Sequence, residues 1–417
     1  MEFIYDKEMF ITDVIGDDEI ITIPDEAKGI RSFSFMDLEA HTIVFGRGKN
    51  LIIEESAFVG LKNLEIVKCE LLTWGPLSHL LEAFTECPTD ICFIVNNSKK
   101  SFINKYKGSF CLFTEEDANL DIGKIYQLEE YNDYIKIVGF QDKIYNNLYG
   151  NVYFPDYYLG KKLILDITNV SFCKELLKRT FRYTRYIKFP ILVDNSSLEY
   201  QSSCKLNFNQ SCSLKAIHLS RLGDRIPEGA FWEINAIESI YIPKNYFEVG
   251  GFCFCSNLKN IVFEDSREIQ RIYSSAFFNT LIEQKTFQDN AIFCIDDLAI
   301  SFNQKYNFKL DTFYLKEGIR VIADRFLYST YLNLKGKEIT FVLPDSVRFI
   351  GDEAFYSGNS KFLLGEGIED IGEKAFAYEF WEGDDDPGKR VSWKNPEDEK
   401  LFDKECFEGI CEMLPFK

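Results

Sequence analysis

Residues 339–355 read ITFVLPDSVRFIGDEAF and residues 362–376 read FLLGEGIEDIGEKAF, with the same isoleucine-glycine step and the same closing alanine-phenylalanine. The frame is fixed by anchoring on the closing phenylalanine and looking back five and one positions for an aliphatic and a small residue. Besides Ile350, Ala354 and Phe355, and Ile371, Ala375 and Phe376, it returns at Ile226, Ala230 and Phe231, at Ile272, Ala276 and Phe277, and at Ile53, Ala57 and Phe58. Looser copies place Val249 and Cys253 before Phe254, Ile30 and Ser34 before Phe35, Val321 and Arg325 before Phe326, and Phe402 and Cys406 before Phe407. Successive anchors such as Phe35 and Phe58, or Phe231, Phe254 and Phe277, lie 23 residues apart, and Phe355 and Phe376 lie 21 apart. A period in this range marks a solenoid, whose units cannot bury their apolar sides alone and become stable only when stacked. The later gaps of 29 and 31 residues imply loop insertions.

Each unit opens on a short alternating apolar run, often closed by proline: ITIP at 21–24, IYIP at 240–243, FVLP at 341–344, and IHL, IVF and FYL beginning at 217, 261 and 313. Proline lacks a ladder donor and sits at strand ends, so each unit reads as one strand plus a return segment.

The stretch LPDSVRFIGDEAF, with Leu343, Pro344, Ser346, Val347, Ile350, Gly351, Ala354 and Phe355, resembles the BspA-type leucine-rich repeat. MFITDVIGDDEIITIPDEAKGIRSFSF resembles the lead-in that this family places before its first repeat, and residues 134–167 look like a second lead-in followed by a weak unit closing at Phe181. The resemblance implies a curved leucine-rich-repeat solenoid, with one short strand per repeat lining a concave face and irregular, 3-10 or helical return segments. It also implies a binding surface rather than an active site, although the partner does not follow from the fold. The expected organisation is a lead-in and first repeats at 1–98, a degenerate or irregular segment at 99–210, and a C-terminal array at 211–417.

Among 417 residues, 46% hydrophobic content with 39 phenylalanines argues for a well-filled core. The start MEFIYDKEMFITDVIGDDE has neither a basic segment nor an apolar stretch of signal-peptide kind, and no run reaches membrane-spanning length, so the expectation is a cytoplasmic protein without membrane insertion. Cell-surface or secreted placement is the alternative if this is a trimmed mature form. Cys253 and Cys406 take the small slot before an anchor ring and read as buried thiols, which favours a reducing compartment.

The net charge is −19, and a chain this acidic repels a polyanion, so the basic and aromatic stretch KELLKRTFRYTRYIKFP at 174–190 is read as a solvated repeat face rather than a nucleic-acid site. His41, His79 and His218 are widely spaced, and neither HExxH nor CxxC occurs, so no metal is expected. GRGKN at 46–50 lacks phosphate-loop spacing and reads as a turn; the acidic Asp384, Asp385 and Asp386 lack EF-hand spacing and read as a loop. With no nucleophile signature either, the chain is read as non-catalytic and without cofactor.

Two-residue alternation in SLKAIHLS points Leu214, Ile217 and Leu219 inward and Ala216 and His218 outward. The same register sends Tyr241, Val262, Tyr314, Val342 and Leu363 outward, an apolar and aromatic row of the kind that marks interaction surfaces. The expected function is therefore protein binding on the concave strand face. The acidic charge suggests a basic partner, as for an inhibitor or immunity-type antagonist of a toxin or nuclease; the family resemblance suggests a surface adhesin as the alternative.

Overall fold

The structure is a computed structural model that describes residues 1–45, 51–69, 77–88, 90–99, 110–141, 151–177, 184–193, 214–303, 305–306, 310–327, 339–356, 360–376 and 391–393. It is a parallel β-solenoid of leucine-rich-repeat type with little helix. The described residues fall into two compact units, one holding residues up to 193 with 214–222 and 236–241, the other holding 223–235 and residues from 242 onward.

In the first unit the strands Ile20–Ile23, Thr42–Phe45, Ile66–Cys69, Cys92–Val95 and Cys111–Thr114 pair in parallel in that order. Ile21, Ile43, Val67 and Phe93 are in register along this stack, and all are buried. A second sheet begins with an antiparallel hairpin, Glu2–Tyr5 against Phe10–Ile15, to which Gly29–Ile30 and Ile52–Ile53 add in parallel. The lead-in is thus a hairpin that gives the first two-residue strands something to pair with.

That device recurs. Tyr126–Glu130 and Tyr134–Phe140 form a hairpin on which Lys161–Asp166 and Ile191–Val193 build, next to a stack of Val152–Tyr153, Tyr186–Lys188 and Ala216–His218. The stretch 134–167, read from the sequence as a second lead-in, begins at the second strand of this hairpin. In the second unit Ile292–Ile295 and Leu298–Phe302 form a third hairpin, followed by Val321–Ile322, Phe349–Ile350 and Asp370–Ile371. It lies between Phe277 and the FYL run at 313, where sequence analysis found no unit; its signal is the pair Asp296 and Asp297 between two apolar runs, with Asp296 at φ 51°.

Stacking explains the recurring glycine. A Cβ on Gly351 would lie 2.4 Å from the Asp324 amide nitrogen, and one on Gly372 would lie 2.5 Å from that of Asp352, so the turns approach too closely for any side chain there. The following segment is irregular, yet its backbone is paired from turn to turn: the Phe35 amide donates to Ala57, Phe58 to Ala83, and Phe355 to Ala375. These bonds hold the anchor rings in columns, with Phe58 and Phe84 stacked at 4.7 Å and Phe355 and Phe376 at 5.3 Å. Phe84 belongs to a turn that the repeat frame did not pick out.

Two anchors are reassigned. Ile322 rather than Val321 pairs with Ile350, and the Leu327 amide donates to Ala354 as that of Phe355 does to Ala375, so Leu327 takes the anchor place expected for Phe326. Phe254 was expected in the core column, but the buried ring between Phe231 and Phe277 is Phe252, at 4.9 and 6.0 Å from them. The residue two places after an anchor is left-handed at Asp37, Glu86, Glu233 and Asn279, and Phe254 holds that place with φ 57°. Its amide donates to Phe278, the residue after the next anchor, as that of Glu233 donates to Cys253 and that of Asp37 to Val59. Gly250 and Gly251 shorten the turn by two residues, which an even 23-residue spacing concealed.

Candidate functional site

The second unit carries the open strand face. Its stack of Thr312–Tyr314, Ile339–Val342, Ser360–Leu364 and Val391–Trp393 puts Phe313, Phe341 and Phe362 in one row, their rings 5.6 and 5.7 Å apart. Alternation then turns the next residues, Tyr314, Val342 and Leu363, to the other face, directly opposite one another in the ladder. Tyr314 is 70% exposed, and Val342 and Leu363 are half-buried. Thr340 and the exposed Lys361 line the neighbouring row. Three residues that sequence analysis proposed are therefore brought together as an exposed apolar ladder. Val262 is half-buried in the strand Asn260–Phe263, which belongs to a different sheet.

His218 and Tyr241 were expected on this exposed row, and neither is exposed. His218 points outward from its strand, as alternation requires, but is completely buried. Its Nδ1 lies 3.2 Å from an Asp90 carboxylate oxygen and 2.8 Å from the Asp90 carbonyl. Burial alone disfavours the imidazolium, but Cys92 and the Asp90 carboxylate outweigh it and push the His218 pKa up to about 10. Tyr241 is buried to 6% exposure, with the Arg221 guanidinium 5.3 Å from its ring centre; Arg221 also lies 3.3 Å from Glu65 and 3.7 Å from Asp90.

The cover is built gradually along the first unit. In the outward row Ile20, Thr42, Ile66, Cys92 and Cys111, exposure falls from 62% at Ile20 to zero at both cysteines. Beside it, Lys188 is fully buried and bonds Asp156 at 2.7 Å, and Ser220 donates to the other Asp156 oxygen at 2.6 Å. Burial opposes both charges, yet the pairing wins, holding Asp156 below and Lys188 above its ordinary range. Here the sheet's outer face is a paired, desolvated charge cluster, not a docking surface.

Cys253 is buried, as are Cys92, Cys111, Cys173 and Cys255; burial pushes the Cys255 thiol up to about 12. Cys406, Phe407, Phe181, residues 46–50 and Asp384 to Asp386 lie outside the described residues. Among the described residues no group of three or more His, Cys, Asp or Glu could hold a metal ion, and no helix is long and apolar enough to cross a membrane.

The architecture is that of a leucine-rich-repeat protein. Residues 174–305 and 299–380 match the BspA type Leucine rich repeat region in six copies, and the chain belongs to that family. Its structure is similar to that of a leucine rich cell surface protein from Faecalibacterium prausnitzii A2-165, with 13% identity, 90% of this chain and 77% of that chain covered, and a TM-score of 0.22. It is also similar to a leucine-rich repeat protein from Bacteroides ovatus ATCC 8483, with 12% identity, 94% and 98% covered, and a TM-score of 0.21. No curated protein matches the sequence significantly. The family is one of interaction modules and is typically non-catalytic.

Proposed function

We propose that this protein is a non-catalytic binding module that holds another protein on the strand face of its second unit, with Tyr314, Val342 and Leu363 as the contact. The supporting observation is the in-register ladder led by a tyrosine left 70% exposed on a rigid sheet. A tyrosine offers a large apolar ring and a hydroxyl that an interface can satisfy, and ring order on a sheet costs little entropy on binding. The acidic net charge of −19 favours a basic partner through faster encounter. The buried thiols favour a reducing compartment, hence the cytoplasm.

The test is affinity capture from the native cell with the wild type and the double variant Tyr314→Ala, Leu363→Ala. A partner retained by the wild type and lost by the variant supports the assignment, and its measured affinity should fall by roughly 1–3 kcal/mol for Tyr314→Ala alone. Equal retention by both proteins sinks the strand-face reading.

A further inference from the structure

A second surface stands out in the second unit, in the turns that follow the anchor rings. Trp232 and Phe278 directly follow the anchors Phe231 and Phe277, and between them Phe254 holds the left-handed position two places after Phe252. The Trp232 and Phe254 rings are 4.8 Å apart and those of Phe254 and Phe278 are 5.4 Å apart, so three successive turns present one continuous aromatic strip. Phe278 is 51% exposed, and the other two are half-buried.

Two observations say this strip is not incidental. A bulky residue at positive φ is an outlier, and at this place the equivalent turns use Asp37, Gly60, Glu86, Glu233 and Asn279, whereas this turn puts a phenylalanine there. Five rings elsewhere in the chain carry a guanidinium. Arg31 lies over Phe10, Arg221 over Tyr241, Arg225 over Phe247, Arg271 over Tyr273 and Arg320 over Phe349, at 4.1 to 5.8 Å from the ring centres. No cation of the described residues lies over the rings of the strip. Glu228 and Glu233, carried by the same turns, also have no basic partner among the described residues.

We infer that this strip binds arginine side chains of a partner protein segment, which supply the guanidinium that those five rings receive from within the chain. The rings offer their negative π faces to a weakly hydrated, planar cation, and Glu228 and Glu233 add carboxylates for its N–H groups. Arginine is favoured over lysine because it can stack and donate in a fork at once. The surface is separate from the Tyr314 ladder and does not rest on it.

The probe is a fluorescein-labelled oligo-arginine peptide, with an oligo-lysine peptide of equal length as comparison, followed by anisotropy at near-physiological salt so that long-range attraction to the acidic chain is screened. The wild type should bind oligo-arginine more tightly than oligo-lysine. Trp232→Ala should weaken the arginine complex by about tenfold, and so should Phe254→Gly, which removes the ring but leaves the left-handed backbone comfortable. Tyr314→Ala should leave it unchanged. Equal affinity for the two peptides, or wild-type affinity in folded Phe254→Gly and Trp232→Ala, overturns the assignment. So does a loss in Tyr314→Ala matching theirs, since binding would then belong to the sheet face.

Discussion

His218 and Tyr314 occupy the same kind of place, an outward position on a short strand of a parallel stack, and end in opposite environments. His218 is fully buried with Asp90 beside it, and Tyr314 is 70% exposed. The neighbours decide the difference. Around His218 the outward rows of the first unit are closed over by Asp90, Arg221 and Glu65, residues far apart in sequence. Along the ladder of Tyr314, Val342 and Leu363 the tyrosine stays open to solvent and the other two outward positions are only partly covered. Alternation tells which side of a sheet a residue leaves from. It does not tell what awaits it there.

The largest effect is expected in the anchor column of the second unit. Phe252→Ala should cost about 3–5 kcal/mol in chemical denaturation, as for other buried aromatics. Phe254→Gly should cost less than about 1 kcal/mol, because relief of roughly 1–2 kcal/mol of left-handed strain offsets ring contacts worth about 0.5–1.5 kcal/mol. Equal losses would return Phe254 to the column.

Within the covered region, Asp90→Ala leaves a buried imidazolium without its counter-charge and should destabilise by about 3–5 kcal/mol, the usual effect of breaking a buried pair. The same pair gives a pH signature. Because the folded-state pKa of His218 is raised, its contribution should be complete below the unfolded value of about 6.5 and lost as pH rises through about 10. Denaturation midpoints measured across that window should fall for the wild type, and fall less steeply in Asp90→Asn. A midpoint for the wild type that does not change between those limits would show that His218 is buried neutral.

The smallest stability effect belongs to the open region. Tyr314→Ala should move the unfolding free energy by no more than about 0.5 kcal/mol while weakening the proposed complex. A thermal melt that drops by many degrees would mean that the Tyr314 ring is packed rather than presented.

The repeat period, the strand of each turn and the anchor rings at Phe58, Phe231, Phe277, Phe355 and Phe376 were all legible in the sequence, because stacking forces the same chemistry to recur at the same place. Ile-Gly before Ala-Phe, at residues 350–351 and 371–372, is the clearest case: a Cβ on either glycine would meet the backbone of the preceding turn, whereas turns that approach less closely carry Pro227 or Tyr273 there. What recurs can be read from one chain without seeing its fold. The register shift at Phe252 was hidden because two phenylalanines two residues apart satisfy the pattern equally well, and only the ring contacts and the hydrogen bond from the Phe254 amide to Phe278 separate them. The fate of each outward position was hidden for a deeper reason. Burial of a strand face depends on whichever distant segment lies over it, and Asp90 and His218 are 128 residues apart with no pattern linking them. Sequence therefore determined the repeat and which side of the sheet each residue takes, whereas tertiary packing alone decided where that side became core, charge cluster or open surface.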